Sequence, residues 1–163
     1  MAHVAVNLRR ASESDVEAVA RVGHATWPST YAFAGREYVE RGLAQWYSED
    51  AIRESLRDTE MWVAEVDGEV VGIGNVDLER DPPTIWKLYV VPSHHRSGVG
   101  RALLEQLVAS VPSDRGVVAL EYVDGNERAS EFYARQGFIE TSREPAELPG
   151  WPDVVWVERS LKG

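Results

Sequence analysis

The 163-residue chain contains no cysteine, which excludes disulfide bonds, thiolate metal sites and catalysis through an acyl-cysteine. It also has no run of eighteen apolar residues and no basic leader followed by an apolar segment. We therefore expect a cytoplasmic protein that neither spans a membrane nor is secreted. Internal repeats, low-complexity tracts and linkers are absent as well, so the length predicts one domain over residues 1–163.

Basic residues are in short supply, because 17 Lys and Arg face 27 Asp and Glu and give a formal charge of −10. Duplex binding needs clustered basic side chains, so nucleic acid is not an expected partner. The acidic balance is compatible with a cationic amine substrate, but a simple role in solubility is the stronger interpretation. The adjacent His94 and His95 point apart, and neither His3 nor His24 has a partner at ligand spacing, which predicts no metal site.

The segment from Leu88 to Leu104 joins an apolar strand, through a polar turn with two glycines, to an amphipathic helix. Gly98 and Gly100 leave the backbone open where a helix begins, and the unpaired N–H groups there favour a pyrophosphate. Arg96 and Arg101 flank these amides and reach further phosphate oxygens. The segment predicts a site for an anionic ligand held mainly by backbone.

Two other nucleotide motifs fit this turn less well. No Gly-Lys-Ser/Thr follows, as a Walker A loop requires, and the residue three after Gly100 is Leu103 where a dinucleotide fingerprint needs glycine. A plain turn, in which the glycines only permit close packing, remains the alternative to a phosphate cradle.

A second informative segment runs from Leu120 to Phe138 and consists of a strand, Asn126, a helix and a closing Gly-Phe. Helical spacing places Tyr133 on an inward face of a helix that begins near Asn126, and Gly137 suits the left-handed position that ends it.

Together these segments resemble the GCN5-related N-acetyltransferase (GNAT) superfamily, whose acetyl-CoA signature is Gln/Arg-x-x-Gly-x-Gly/Ala after a Val-x-Pro strand end. Here the signature reads His95-Arg96-Ser97-Gly98-Val99-Gly100. His95 departs from the usual Gln or Arg and puts one side-chain contact in doubt, whereas the main-chain cradle is unaffected.

The pattern of elements is similar to that of the family. Alternation predicts a first strand over 4–8, a capping box of Ser14 and Glu17 predicts a helix interrupted by Pro28, and Asp67-Gly68 predicts a hairpin. The resemblance implies an α/β (α+β) fold with a mixed, mostly antiparallel sheet of six to seven strands and about four helices, in the order β-α-α-β-β-β-α-β-α-β-β. A further helix capped by Ser48 is also expected.

The resemblance also implies the site. In the family, the strand that follows the hairpin splays from the next strand of the sheet and pairs with the pantetheine arm of the cofactor. The expected contacts to acetyl-CoA are Leu88, Tyr89, Val90, Arg96, Ser97, Gly98, Val99, Gly100, Arg101, Asn126 and Tyr133. Tyr133 matches the family's general acid, and Glu121 stands where ribosomal-protein N-terminal acetyltransferases carry their base. An ordinary core tyrosine with a bonded hydroxyl is the lesser alternative for Tyr133. For Glu121, a solvated strand-end glutamate or a partner of Arg128 is an equal alternative to the base. Asp77, Glu79 and Asp81 are weaker alternatives for the base.

Six aromatic residues crowd into positions 27–47, and Trp27 and Tyr31 are candidates to contact the substrate, with packing as the alternative. The resemblance implies direct transfer of acetyl from acetyl-CoA, without metal, to a primary amine that we expect to be a small molecule. A peptide N-terminus as acceptor and a non-catalytic acyl-CoA-binding module are the alternatives. A homodimer is possible.

Overall fold

The computed structural model describes residues 5–161. Seven strands and five α-helices follow one another in that part of the chain: β1 (Asn7–Arg10), α1 (Val16–Thr30), α2 (Arg36–Trp46), α3 (Glu49–Asp58), β2 (Glu60–Val66), β3 (Glu69–Asp77), β4 (Thr84–Val90), α4 (Val99–Ala109), β5 (Val117–Val123), α5 (Glu127–Arg135), β6 (Ile139–Glu144) and β7 (Val154–Ser160). The strands form one sheet in the order β1-β2-β3-β4-β5-β7-β6, in which only β4 and β5 are parallel. The expected mixed, mostly antiparallel fold is confirmed.

Helices cover both faces of this sheet, and side-chain alternation along β3 decides which helix lies where. Gly72 and Gly74 face α4 and lie so close to it that an added Cβ would stand within 3 Å of Leu103 and Leu107. The intervening Ile73 points to the opposite face, into the core that α1 and α3 complete. The close packing of α4 on β3 therefore requires glycine, which has no side chain, at both positions.

Four expectations about the elements that precede β2 need correction. The first strand is Asn7–Arg10 and not 4–8, and Val4 lies outside the described residues. The Ser48 side chain does cap α3, by accepting from the Ala51 N–H (3.2 Å), and this helix is absent from the expected order. Pro28 does not interrupt the first helix, because it lies in the last turn of α1 and removes only one N–H there.

The capping box before α1 uses Ser12 and Asp15 and not Ser14 and Glu17. The Asp15 carboxylate accepts from the Ser12 N–H (2.8 Å) and from both terminal nitrogens of Arg9 (2.9 Å each). The Arg9 guanidinium thereby lowers the pKa of Asp15. A contact from β1 therefore selects which residue begins the helix.

The hairpin at Asp67-Gly68 is confirmed, because both residues have positive φ (53° and 80°) in the two-residue turn between β2 and β3. Its strands lead into the most important irregularity of the sheet. In the register of β3 with β4, Asn75 pairs with Lys87 and Val76 with Ile85, so Trp86 is an extra residue in β4. Such a bulge bends the strand that carries it.

The bulge stands where the parallel pairing of β4 and β5 ends. Only Thr84 with Ala119 and Ile85 with Leu120 are paired, and beyond Ile85 the two strands diverge. The edge of β4 that faces β5 is consequently without a sheet partner from Trp86 onward. This divergence is the expected splay.

We predict that Gly42→Ala destabilises the protein by about 2 kcal/mol, because an added Cβ on α2 would overlap the buried Trp27 ring and overpack the contact with α1. Chemical unfolding monitored by tryptophan fluorescence measures the change. Gln45→Ala, at an exposed position of the same helix, serves as control and is expected to stay within about 0.5 kcal/mol of the wild type. Equal stability of the two variants would contradict the tight α1–α2 contact.

Candidate active site

Two cavities open from the divergence of β4 and β5. The first, here called the wedge cavity, measures about 640 Å³ and extends from the gap between the strands to the start of α4 and along α5. The second, the aromatic cavity, measures about 630 Å³ and lies against α1, α2 and α3. They share six lining residues, Tyr31, Trp86, Lys87, Tyr89, Glu121 and Tyr122. Two ligands can therefore meet at this boundary.

The loop before α4 presents unpaired backbone donors to the wedge cavity. Arg96 and Gly98 have positive φ (64° and 92°), and Gly98 is the residue that begins the helix. No side chain caps the first amides of α4, so these N–H groups are available to an anion. Gly100 does not serve close packing, since an added Cβ would have only ordinary contacts at 3.7 Å or more.

His95, the departure from the family signature, has a structural role that the sequence did not reveal. Its Nε2–H donates to the Val90 carbonyl oxygen (2.8 Å) and ties the loop to the end of β4. Burial lowers the pKa of the His95 imidazole, and the nearby Arg128 adds to this effect. The neutral ring with its proton on Nε2 fits this contact.

Most of the expected cofactor-contacting residues line the wedge cavity: Leu88, Tyr89, Val90, Arg96, Gly98, Gly100, Arg101, Asn126 and Tyr133. Two of them do not. The Val99 side chain is completely buried in the core, and the Ser97 hydroxyl donates to the His94 carbonyl within the loop. Only the main chain of these two residues is left to contact a ligand.

Tyr133 projects from α5 into the wedge cavity. Asn126 caps this helix by accepting from the Ala129 N–H (3.2 Å), and the Tyr133 ring packs against Tyr122 and Phe138 at centroid distances of 6.2 and 5.6 Å. Burial raises the pKa of the Tyr133 phenol, so the hydroxyl keeps its proton at neutral pH. No group of the described chain bonds this hydroxyl, which leaves its proton available to a ligand.

Glu121 lies on β5 at the boundary of the two cavities, and its side chain reaches solvent through them. Partial desolvation raises the pKa of its carboxyl group, Glu144 raises it further, and Arg80 opposes the shift. Within residues 5–161 Glu121 forms neither an ion pair with Arg128 nor any hydrogen bond. Such a carboxylate is suited to accept a proton.

The weaker alternatives for the base lie elsewhere. Asp77, Glu79 and Asp81 line neither cavity. The Asp77 carboxylate instead accepts from the Glu79 N–H (3.1 Å) and the Trp86 indole N–H (3.4 Å).

Aromatic rings form much of the aromatic cavity. Trp27 and Tyr31 are both buried and both line it, with ring centroids 4.4 Å apart. The Tyr31 and Tyr89 hydroxyls share a 2.7 Å hydrogen bond that joins α1 to β4 beside Glu121. Because their rings also belong to the core, packing and contact with a ligand are compatible roles for these residues.

Lys87 is the residue of this region that sequence reasoning missed. Its side chain is 8% exposed and lines the aromatic cavity. A signal was present in the sequence, since only two of the 17 basic residues are lysines, and one of these interrupts the apolar run of β4.

The part of the chain that the structure describes lacks two kinds of feature. No group of three or more His, Asp or Glu residues there is arranged to hold a metal ion. None of its helices combines the length and apolarity needed to cross a bilayer.

Comparison with known proteins gives the same picture. The family model "Acetyltransferase (GNAT) domain" matches residues 57–140. A GCN5-related N-acetyltransferase from Rhodopseudomonas palustris is 21% identical, with 98% of each chain covered and a TM-score of 0.84. The PaiA N-acetyltransferase from Thermoplasma acidophilum, solved in complex with coenzyme A, is 20% identical over 96% of this chain and 99% of that one, with a TM-score of 0.79.

The ribosomal-protein-S18-alanine N-acetyltransferase from Escherichia coli is 19% identical, with 98% of this chain and 96% of that chain covered and a TM-score of 0.77. At these identities the three structures establish a shared fold.

Proposed function

The chain belongs to the GNAT acetyltransferase family, and we propose that it transfers the acetyl group of acetyl-CoA directly to a primary amine of a small molecule. The observation that carries this proposal is the meeting of two cavities at Glu121, with the Tyr133 hydroxyl on the wedge side. One cavity suits the thioester and the other suits the acceptor. Since the chain has no cysteine, no acyl-cysteine intermediate is involved.

Acetyl-CoA is assigned to the wedge cavity. The uncapped amides that begin α4 provide donors for the pyrophosphate, and Arg96 and Arg101 lie beside them. Along the unpaired edge of β4, Leu88 and the Val90 N–H offer main-chain groups to the pantetheine arm. The Val90 carbonyl is held by His95, and Tyr89, whose main chain pairs with β3, contributes its side chain to the cavity. An amide of this edge then polarises the thioester carbonyl, as an oxyanion donor does.

Conversion of an alkylammonium into an amide removes two protons from nitrogen, and the leaving sulfur takes up one. The alkylammonium attacks only after losing its first proton, which Glu121 accepts directly or through a water molecule. The amine nitrogen then bonds to the acetyl carbon, the carbon–sulfur bond breaks, and Tyr133 gives its proton to the departing thiolate. The second proton leaves the nitrogen as the amide forms and restores the Tyr133 phenol directly or through water. The raised pKa values of both residues leave Tyr133 protonated and make Glu121 a stronger base than an ordinary carboxylate.

A small acceptor is favoured by the walls of the aromatic cavity, where Trp27, Tyr31 and Tyr38 pack against one another. A thiol-release assay with acetyl-CoA over pooled small amines and N-terminal peptides tests the proposal. We expect release with small amines. Thiol release with peptides alone would show that the acceptor is a peptide N-terminus and not a small amine. Tight acetyl-CoA binding without any thiol release would indicate a non-catalytic module.

We predict that Gly98→Ala weakens acetyl-CoA binding at least tenfold, because a side chain at φ 92° strains the loop and disturbs amides that bind the pyrophosphate. Calorimetry measures the affinity. Gly116→Ala imposes a similar strain (φ 86°) where no atom lies within 4 Å of the new Cβ, and it is the matched control for lost stability. Equal affinities of the two variants for acetyl-CoA would contradict the assignment of its pyrophosphate to this loop.

We predict that Tyr133→Phe lowers kcat by about 100-fold, the usual contribution of a general acid, and changes acetyl-CoA affinity less than threefold. Steady-state kinetics and calorimetry separate the two effects. Tyr122→Phe is the control, because its ring stacks on Tyr133 and its hydroxyl bonds Ser130. A large loss of affinity with unchanged turnover would exclude Tyr133 as the acid.

We predict that Glu121→Gln slows transfer and removes the acidic limb of the pH profile of kcat/KM. In the wild type this limb arises because the rate falls once pH drops below the raised pKa of Glu121 and the base becomes protonated. Measurement of kcat/KM between pH 5 and 9 shows the limb. An unaltered profile would reject Glu121 as the base.

A further inference from the structure

Lys87 carries a buried charge for which the described chain offers no counter-ion. Its side chain is 8% exposed, and Nζ lies 5.4 Å from the Tyr47 ring centroid and 5.7 Å from that of Trp46. Across residues 5–161 no carboxylate forms an ion pair with it. Lysines are rarely buried without a partner, because removing the ammonium from water is costly. Cation–π contacts with two rings offset only part of that cost.

Uncharged polar groups accompany Lys87 in the aromatic cavity. The Asn75 side-chain oxygen accepts from the Lys87 backbone N–H (2.8 Å), and its amide nitrogen donates to the Thr59 hydroxyl (3.1 Å). The Thr59 hydroxyl in turn donates to the Ser55 carbonyl oxygen (2.6 Å), so its own proton is already used. Asn75, Thr59 and Ser55 all line the cavity, and the Lys87 ammonium and the Ser55 hydroxyl are the donors left for an anion.

Carboxylates on β5 and β6, those of Glu121 and Glu144, line the same cavity. Arg80 lies beside them, because it stacks over Trp86 and Trp156 (5.0 and 5.3 Å) and lowers the pKa of Glu121. Burial lowers the pKa of Lys87 to about 8, and neither carboxylate forms an ion pair with it. The cavity thus carries a cation on β4 and carboxylates on β5 and β6.

We propose that the acceptor is a small amine that also carries a carboxylate, and that Lys87 binds this carboxylate while the amine lies toward Glu121. The proposal rests on acetyl transfer to a small amine and names the substrate class. A single negative charge fits better than a phosphate dianion, because Glu121 and Glu144 line the same cavity. The acceptor's carboxylate supplies the counter-ion that the chain lacks.

The test uses amino acids of increasing length, from glycine and phenylalanine to β-alanine and γ-aminobutyrate, each beside its carboxamide. For at least one pair we expect the wild-type kcat/KM to be about 100-fold higher for the free acid than for the carboxamide, because only the acid supplies a charged partner for the buried ammonium. Lys87→Met should reduce this ratio toward one, mainly through KM. Arg57→Met, at an exposed cation of α3, and Arg80→Met, at the other cation of the cavity, should retain it.

Calorimetric titration of the same pairs into protein saturated with coenzyme A measures their affinity without turnover. Acid-selective binding without transfer would refute the proposed function and support the carboxylate site. Transfer without a preference for the acids would support the proposed function and refute the carboxylate site. Lys87→Met that lowers stability and keeps the ratio would show a purely structural lysine and overturn the proposal. Loss of the ratio in Arg80→Met alone would also overturn it. If Lys87→Met does not fold, Lys87→Gln and the wild-type ratio decide the question.

Discussion

The divergence of β4 and β5 is the constraint on which the rest of the site depends. Two residues of each strand pair, the extra residue Trp86 bends β4, and the backbone beyond it has no sheet partner. A central strand with unpaired groups is costly in a folded protein unless a ligand or water satisfies them. Both cavities reach the backbone at this gap, so the arrangement that weakens the sheet also brings two candidate ligand sites together.

Electrostatics divides the site into regions of different character despite the overall charge of −10. The start of α4 presents uncapped backbone amides and two arginines to the wedge cavity, an arrangement that favours an anion without a basic surface elsewhere. Removal of water raises the pKa of both Glu121, at the boundary, and Tyr133, in the wedge cavity. The shift makes Glu121 a better base, whereas it makes the Tyr133 phenol a weaker acid, which gives up its proton only to a strongly basic group such as a departing thiolate.

The sequence predicted those features that depend on neighbours along the chain. The Asp67-Gly68 turn, the Ser48 cap and the loop before α4 are examples. It failed where distant residues decide the outcome. Ser12 begins the first helical turn because Arg9 holds Asp15, and the role of His95 depends on the position of the Val90 carbonyl. The burial of Lys87 requires that the end of α2 place Trp46 and Tyr47 over β4. No local sequence pattern predicts this long-range contact. The bulge at Trp86 likewise appears only in the register of two strands.

The two cavities draw their walls from different parts of the molecule. The wedge cavity is lined mainly by β4, β5, α4 and α5, with Thr26, Thr30 and Tyr31 from the end of α1, whereas the aromatic cavity takes much of its wall from the helices that precede β2. Under the proposed assignment, substitutions in α2 and α3 would alter acceptor choice while β4 and β5 keep the unpaired backbone in place. Such a division would let duplicated copies of a gene acquire new acceptors without first losing the acyl-donor site.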